Sequence, residues 1–151
     1  MISSSLTIRP FFPSDQKSAQ QLILAGLADH FGALDPAYNQ DLHDIMASYI
    51  NQGNQFVVAE LAGEIVGTGG LIAEEINNGR IVRVSVHKQM RRRGIARHIV
   101  NHLIIIARQC GYQQLLVETN HDWCDALGLY QKMGFVEYDR EPEEVHMRLN
   151  L

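Results

Sequence analysis

Apolar residues recur along the chain with two periods, and the switches between them divide it into elements. Residues 6–11 alternate apolar with polar and stop at Pro13-Ser14-Asp15, the pattern of an edge strand followed by a helix start. The helix runs over about 15–30, with Leu22, Ile23, Ala25, Gly26 and Leu27 on one side. A loop over 31–36 leads, after Asp35-Pro36, into a second helix over about 38–50. Residues 55–61, 64–73 and 80–86 are β-branched apolar runs separated by Ala62-Gly63 and Asn77-Asn78-Gly79. They predict an antiparallel meander of three strands.

From residue 94 the period changes again. Ile95, Ile99, Val100, Leu103, Ile104 and Ala107 fall on one face of a helix over 94–110, which Gly111 terminates as a C-cap. The short strand that follows, 114–118, is separated from 80–86 by this helix and therefore lies parallel to it through a crossover. A helix over about 122–133, ended by Gly134, and strands near 135–140 and 144–149 complete the chain. The fold class is α/β: a mixed, mostly antiparallel sheet of about seven strands, one parallel βαβ crossover and about four helices.

Length and composition narrow this picture. The 151 residues suffice for one domain with a proper core, and 46% apolar with 20% charged residues is ordinary for a globular chain. A formal charge of -4 argues against a nucleic-acid partner, whose phosphates need a basic surface. Cys110 and Cys124 lack metal-ligand spacing, and His30, His43, His87, His98, His102, His121 and His146 form no close set, so no metal is expected. The N-terminus lacks a signal-peptide pattern and no apolar run has transmembrane length, which predicts a cytoplasmic protein without a membrane partner.

The chemistry concentrates where the second parallel strand is prepared. Arg91-Arg92-Arg93-Gly94-Ile95-Ala96 follows a strand and opens the amphipathic helix, whose first amides have no intrahelical partner. The helix dipole places about half a positive charge there, and Gly94 leaves room for an anion to approach the backbone. A solvated run of three arginines needs neither the strand before nor the buried helix after, whereas a phosphate cradle needs both.

The segment resembles the arginine-or-glutamine, two variable, glycine, variable, glycine-or-alanine motif of the GCN5-related N-acetyltransferase (GNAT) family. Leu129 to Phe135, LYQKMGF, is similar to that family's second signature. With the strand order, the resemblance covers nearly the whole chain, though Lys88 stands where proline is common and Arg92 where glycine is common. It implies the acyl-CoA N-acyltransferase fold and acetyl-CoA as co-substrate. The amides of Arg91, Arg92, Arg93, Gly94, Ile95, Ala96 and Arg97 would bind the pyrophosphate, and Val84, Ser85 and Val86 would pair with the pantetheine arm. Asn120 could also hydrogen-bond that arm.

Acetyl transfer to an amine needs a neutral nucleophile, a donor to the carbonyl oxygen and a proton for the departing thiolate. By resemblance the N–H near Val84 polarises the carbonyl and Tyr130 is the general acid. A phenol of pKa about 10 protonates a thiolate of pKa about 8.5 at a cost of about 2 kcal/mol. Arg80 occupies the strand position where many relatives carry a glutamate, leaving Glu74, Glu75, Glu118 or a water relay as base. Deprotonating an amine of pKa about 10.4 at neutral pH costs about 4.6 kcal/mol, against about 1.4 for one near 8, so a weak base favours amines of low pKa.

Trp123 replaces an asparagine frequent in relatives and reads best as helix-start packing. The first two helices and the loop over 30–38, with Asp35, Asp41 and Asp44, would roof the acceptor side. The reading is an N-acetyltransferase acting by direct attack in a ternary complex on a small-molecule or peptide amine. A non-catalytic coenzyme A binding module is the alternative, and terminal strands could pair in a homodimer.

Overall fold

The computed structural model describes residues 5–32, 34–35, 37–75 and 77–151. The apolar runs become β1 (Thr7–Pro10), β2 (Gln55–Leu61), β3 (Glu64–Ala73), β4 (Asn78–Val86), β5 (Gln114–Asn120), β6 (Val136–Arg140) and β7 (Glu144–Asn150). The helices are α1 (Gln16–Phe31), α2 (Ile45–Ser48), α3 (Ile95–Gln109) and α4 (Cys124–Lys132). The seven strands form one sheet in the order β1-β2-β3-β4-β5-β7-β6. Among the described residues only the β4–β5 pairing is parallel, as the intervening helix requires.

Local chemistry accounts for most boundaries. Ala62 and Gly63 both take positive φ, 52° and 82°, as a two-residue hairpin needs. Gly111, at φ 81°, ends α3. All six apolar positions expected on one face of α3 are buried. They pack with Val57, Val66, Leu71, Leu115 and Met147 on one side of the sheet. On the other side α1, α2 and the 3-10 turn at Gln40–His43 bury Ala19, Ile23, Leu42 and Ile45 against Phe56 and Val58. Ala25, assigned to the inner side of α1, is exposed.

Two expectations need correction. Residues 38–50 do not form a continuous helix: a 3-10 turn at Gln40–His43, the single turn α2 and another 3-10 turn at Ile50–Gln52 replace it. Asp44 is extended at φ -152°, and its side chain accepts the N–H of Ala47, so it caps α2 and breaks what precedes it. The Gln16 side chain fixes the break by donating to the Leu42 carbonyl at 2.7 Å and accepting from Ile45 N at 2.9 Å. The turn before β4 also begins earlier than 77–79. Asn78 N bonds Glu75 O, Asn77 is left-handed at φ 69°, and Asn78 already belongs to the strand. Ala33 and Pro36 of the expected roofing loop lie outside the described residues.

The placement of α3 depends on glycines in β3. A Cβ on Gly69 would stand 2.6 Å from Ile99 Cγ2, and one on Gly67 2.7 Å from Ile99 Cδ1. The helix therefore lies directly on the strand backbone, which fixes where its N-terminus emerges.

Candidate acyl-transfer cleft

β4 and β5 pair only through Asn78–Gln114, Gly79–Leu115 and Arg80–Leu116. Beyond Arg80 the strands separate, and a cavity of about 520 Å³ opens between them. The end of β4 lines it on one side, Val117, Glu118 and Thr119 of β5 on the other, with α1, α4 and the start of α3 closing it. Val84, Ser85 and Val86 all reach this cavity.

A bulge in β4 sits at its centre. Gly70 faces Val82 and Thr68 faces Ser85, so Arg83 and Val84 share the single place opposite Gly69. Arg83 takes φ 54°, a left-handed conformation that costs a non-glycine residue about 1–2 kcal/mol. Two anchors hold it there. The fully buried Thr68 donates its hydroxyl to the Arg83 carbonyl at 2.8 Å. The guanidinium donates to Asp41 at 3.0 and 2.7 Å and to Asn39 at 3.1 Å. Tyr49 adds a 2.5 Å hydrogen bond to the same carboxylate. Burial alone would push the Asp41 carboxyl up, but the bonds from Arg83 and Tyr49 hold it below its ordinary value, while burial and Asp41 push the Tyr49 phenol up to about 12.

At the mouth, Gly94 is the N-cap of α3 at φ 80° and supplies no side-chain cap, so the amides of Ile95, Ala96 and Arg97 remain without intrahelical acceptors. A Cβ on Gly94 would meet nothing within 4 Å, so the approach is open. Arg91, Arg92, Gly94, Ile95, Ala96 and Arg97 line the cavity, and Arg93 does not. Arg91 turns inward to Val86 O and Asp29, each at 3.3 Å. Among the described residues no carboxylate pairs with Arg92 or Arg97. Parted parallel strands, a strained bulge and an open helix N-terminus thus converge on one cavity, lined at one end by the start of α3 and between the strands by β4 and β5, which suits a ligand with a diphosphate and a narrow arm.

The sequence matches the family model described as the Acetyltransferase (GNAT) family over residues 22–135. The chain belongs to the GNAT family. Similar proteins include rat N-acetyltransferase family 8 member 2, 39% identical over 100 residues, covering 63% of this chain and 44% of that protein. Human N-acetyltransferase 8B is 33% identical over 108 residues, 68% of this chain and 48% of that one. The chain thus matches less than half the length of these relatives. Among solved structures, a GNAT acetyltransferase of Staphylococcus aureus Mu50 superposes with a TM-score of 0.89 at 24% identity, covering 97% of this chain and 99% of that one. The PaiA N-acetyltransferase of Thermoplasma acidophilum, solved with coenzyme A, gives 0.84 at 13% identity, with 97% and 99% covered. These likenesses establish the GNAT fold.

Within this GNAT cleft the remaining expected residues separate clearly. Tyr130, 5% exposed, lines the cavity from α4, its ring edge-on to Phe135 at 5.3 Å. Burial pushes its phenol well above the ordinary value, so the hydroxyl keeps its proton at neutral pH. Of the three carboxylates considered as base, only Glu118 reaches the cavity. Arg80 pairs with both Glu74 and Glu118, and His146 Nδ1 lies 3.7 Å from Glu118. Asn120 does not line the cavity: its carboxamide oxygen accepts the Asp122 N–H at 2.9 Å in a local turn. No helix among the described residues is long and apolar enough to cross a membrane.

Among the lining residues that the sequence reading did not assign to this GNAT site, Trp123, Arg83 and Thr119 stand out. Trp123 does more than start α4, because its ring lies 4.3 Å from His30 and 5.6 Å from Phe31, joining α4 to the end of α1 across the cavity. Arg83 was hidden in an apolar strand, although a charged residue between Val82 and Val84 is itself a signal that the strand is interrupted. Thr119 carried no signal, since the predicted strand stops at 118 whereas β5 runs on to Asn120.

Proposed function

We propose that the chain is an acetyl-CoA-dependent N-acetyltransferase that acts on a primary amine by direct attack in a ternary complex. The separation of β4 from β5 beyond Arg80, over a cavity whose mouth carries the open amides of α3, is the observation that carries this reading. Bound acetyl-CoA supplies an activated acetyl thioester for attack by the amine.

The chain's own groups divide the work. The amides of Ile95, Ala96 and Arg97 hold the diphosphate end, with the α3 dipole and the side chains of Arg92 and Arg97 adding positive field. The unpaired edge of β4 at Val84, Ser85 and Val86 receives the pantetheine arm, and the Val84 N–H at the bulge polarises the thioester carbonyl. Tyr130 donates its hydroxyl proton toward the departing sulfur. Glu118 takes the amine proton, directly or through water, with Arg80 and His146 fixing its position. A base so closely tied to a guanidinium favours acceptors of low amine pKa, such as α-amino groups, over lysine-like amines.

A non-catalytic coenzyme A binding module is the second reading, and Arg80 favours it by engaging both Glu74 and Glu118. Thiol release from acetyl-CoA, followed over a panel of small amines and peptides, decides between them. Release that depends on an amine supports the enzyme, whereas coenzyme A binding with no release over the whole panel supports the module.

A further inference from the structure

Thr119 is 5% exposed, and its hydroxyl oxygen is buried without a hydrogen-bond partner. Buried hydroxyls are nearly always bonded, because leaving one unsatisfied forfeits its hydration with no return. The residue lies on the wall of the cleft, three positions beyond Leu116, the last β5 residue paired with β4. Continuing the parallel register past Arg80–Leu116 brings Thr119 level with Arg83, at the bulge. On its own strand it alternates inward with Leu115 and Val117, toward the side of the sheet that holds Tyr130. Valine, nearly the same shape and a better strand former, would fill this place without a polar atom to satisfy.

We infer that the Thr119 hydroxyl is a second donor to the sulfur of the acyl carrier, acting beside Tyr130 across the gap between β4 and β5. This rests on the cleft being the acetyl-CoA site. The hydroxyl transfers no proton. As the amine nitrogen bonds to the carbonyl carbon and the C–S bond breaks, the electron pair passes to sulfur, and the Thr119 O–H points its hydrogen at the charge that forms there. Burial of Tyr130 weakens it as an acid, which makes a second donor effective at this step.

The test compares coenzyme A with desulfo-coenzyme A, which lacks the sulfur, by calorimetric titration of wild type, Thr119→Val and Thr119→Ser at about pH 9, above the ordinary thiol pKa of about 8.5. Wild type and Thr119→Ser should prefer coenzyme A, and Thr119→Val should lose about three- to tenfold of that preference while binding desulfo-coenzyme A as wild type does. Without ligand, Thr119→Val should melt no lower than wild type, since it removes an unsatisfied polar atom. An undiminished preference in Thr119→Val, or a clear fall in its unliganded melting temperature, overturns the assignment. Failure of wild type to bind either compound overturns the acetyl-CoA reading itself and this assignment with it.

Discussion

Two residues show how differently a side chain and a backbone angle can be read. Tyr130 was recognisable because it stands inside a signature, and the structure places it on the cleft wall with its hydroxyl held protonated by burial. Tyr130→Phe should leave coenzyme A affinity unchanged while turnover with an amine falls about tenfold or more, measured by thiol release. Equal turnover would remove the phenol from the reaction. Arg92 stood out as a charge at a place where the family motif commonly has glycine, and it occupies φ 64°, the left-handed region. Replacing it by glycine relieves about 1–2 kcal/mol of strain and adds about 0.5–1 of chain entropy to the unfolded state. Arg92→Gly should therefore raise unfolding stability by about 0.5–1 kcal/mol in denaturant titration.

At the scale of elements, α3 was the most legible part of the chain, because six apolar positions at helical spacing can bury only one way. What the spacing did not carry is the surface beneath it. Gly69 lies under Ile99 with no room for a Cβ, so Gly69→Val should push the helix off β3 and destabilise the fold by about 1–3 kcal/mol, read by thermal or chemical unfolding. In the proposed reading the loop ahead of the helix works through its amides. Gly94→Glu, which strains the φ of 80° and sets a carboxylate beside the proposed diphosphate position, should abolish coenzyme A binding, while Arg92→Ala weakens it only modestly. Similar losses from both would return the weight to the arginine side chains. The segment 38–50 was illegible for the opposite reason: its helical composition is overridden by the Asp44 cap, the Gln16 clamp and the demand of Arg83 for Asp41.

Across the whole molecule, Arg83 joins the two halves of the site. Its backbone makes the bulge in β4, and its guanidinium carries the segment around Asp41 and Tyr49 to the edge of the cleft. Asp41 has its folded pKa below the ordinary 3.8, so its contribution is fully present above the unfolded value and disappears as pH falls through the lowered folded one. Asp41→Asn should therefore lose about 1.5–3 kcal/mol of stability near neutral pH. The gap to wild type should close as pH falls through the lowered folded value, where both carry a neutral side chain. A gap that persists in acid would mean that shape, and not charge, makes Asp41 matter. Asp15, held low by Arg9 and the Phe12 amide against the upward push of burial, adds to the same acid sensitivity.

Much of this protein follows from sequence alone: the seven strands, the crossover, the helix whose first amides stand open at the cavity, and the place of Tyr130 all rest on periodicity, turn chemistry and a short signature, which act between residues close in the chain. The tertiary structure alone decides that β4 and β5 part after Arg80, that Glu118 rather than Glu74 or Glu75 reaches the cavity, and that Asn120 turns away while Thr119 faces in. It also decides that Trp123 meets His30. Each of these depends on the register between strands or on a side chain meeting a partner far along the chain. Local pattern fixes which face a residue takes, but only packing fixes what stands opposite it.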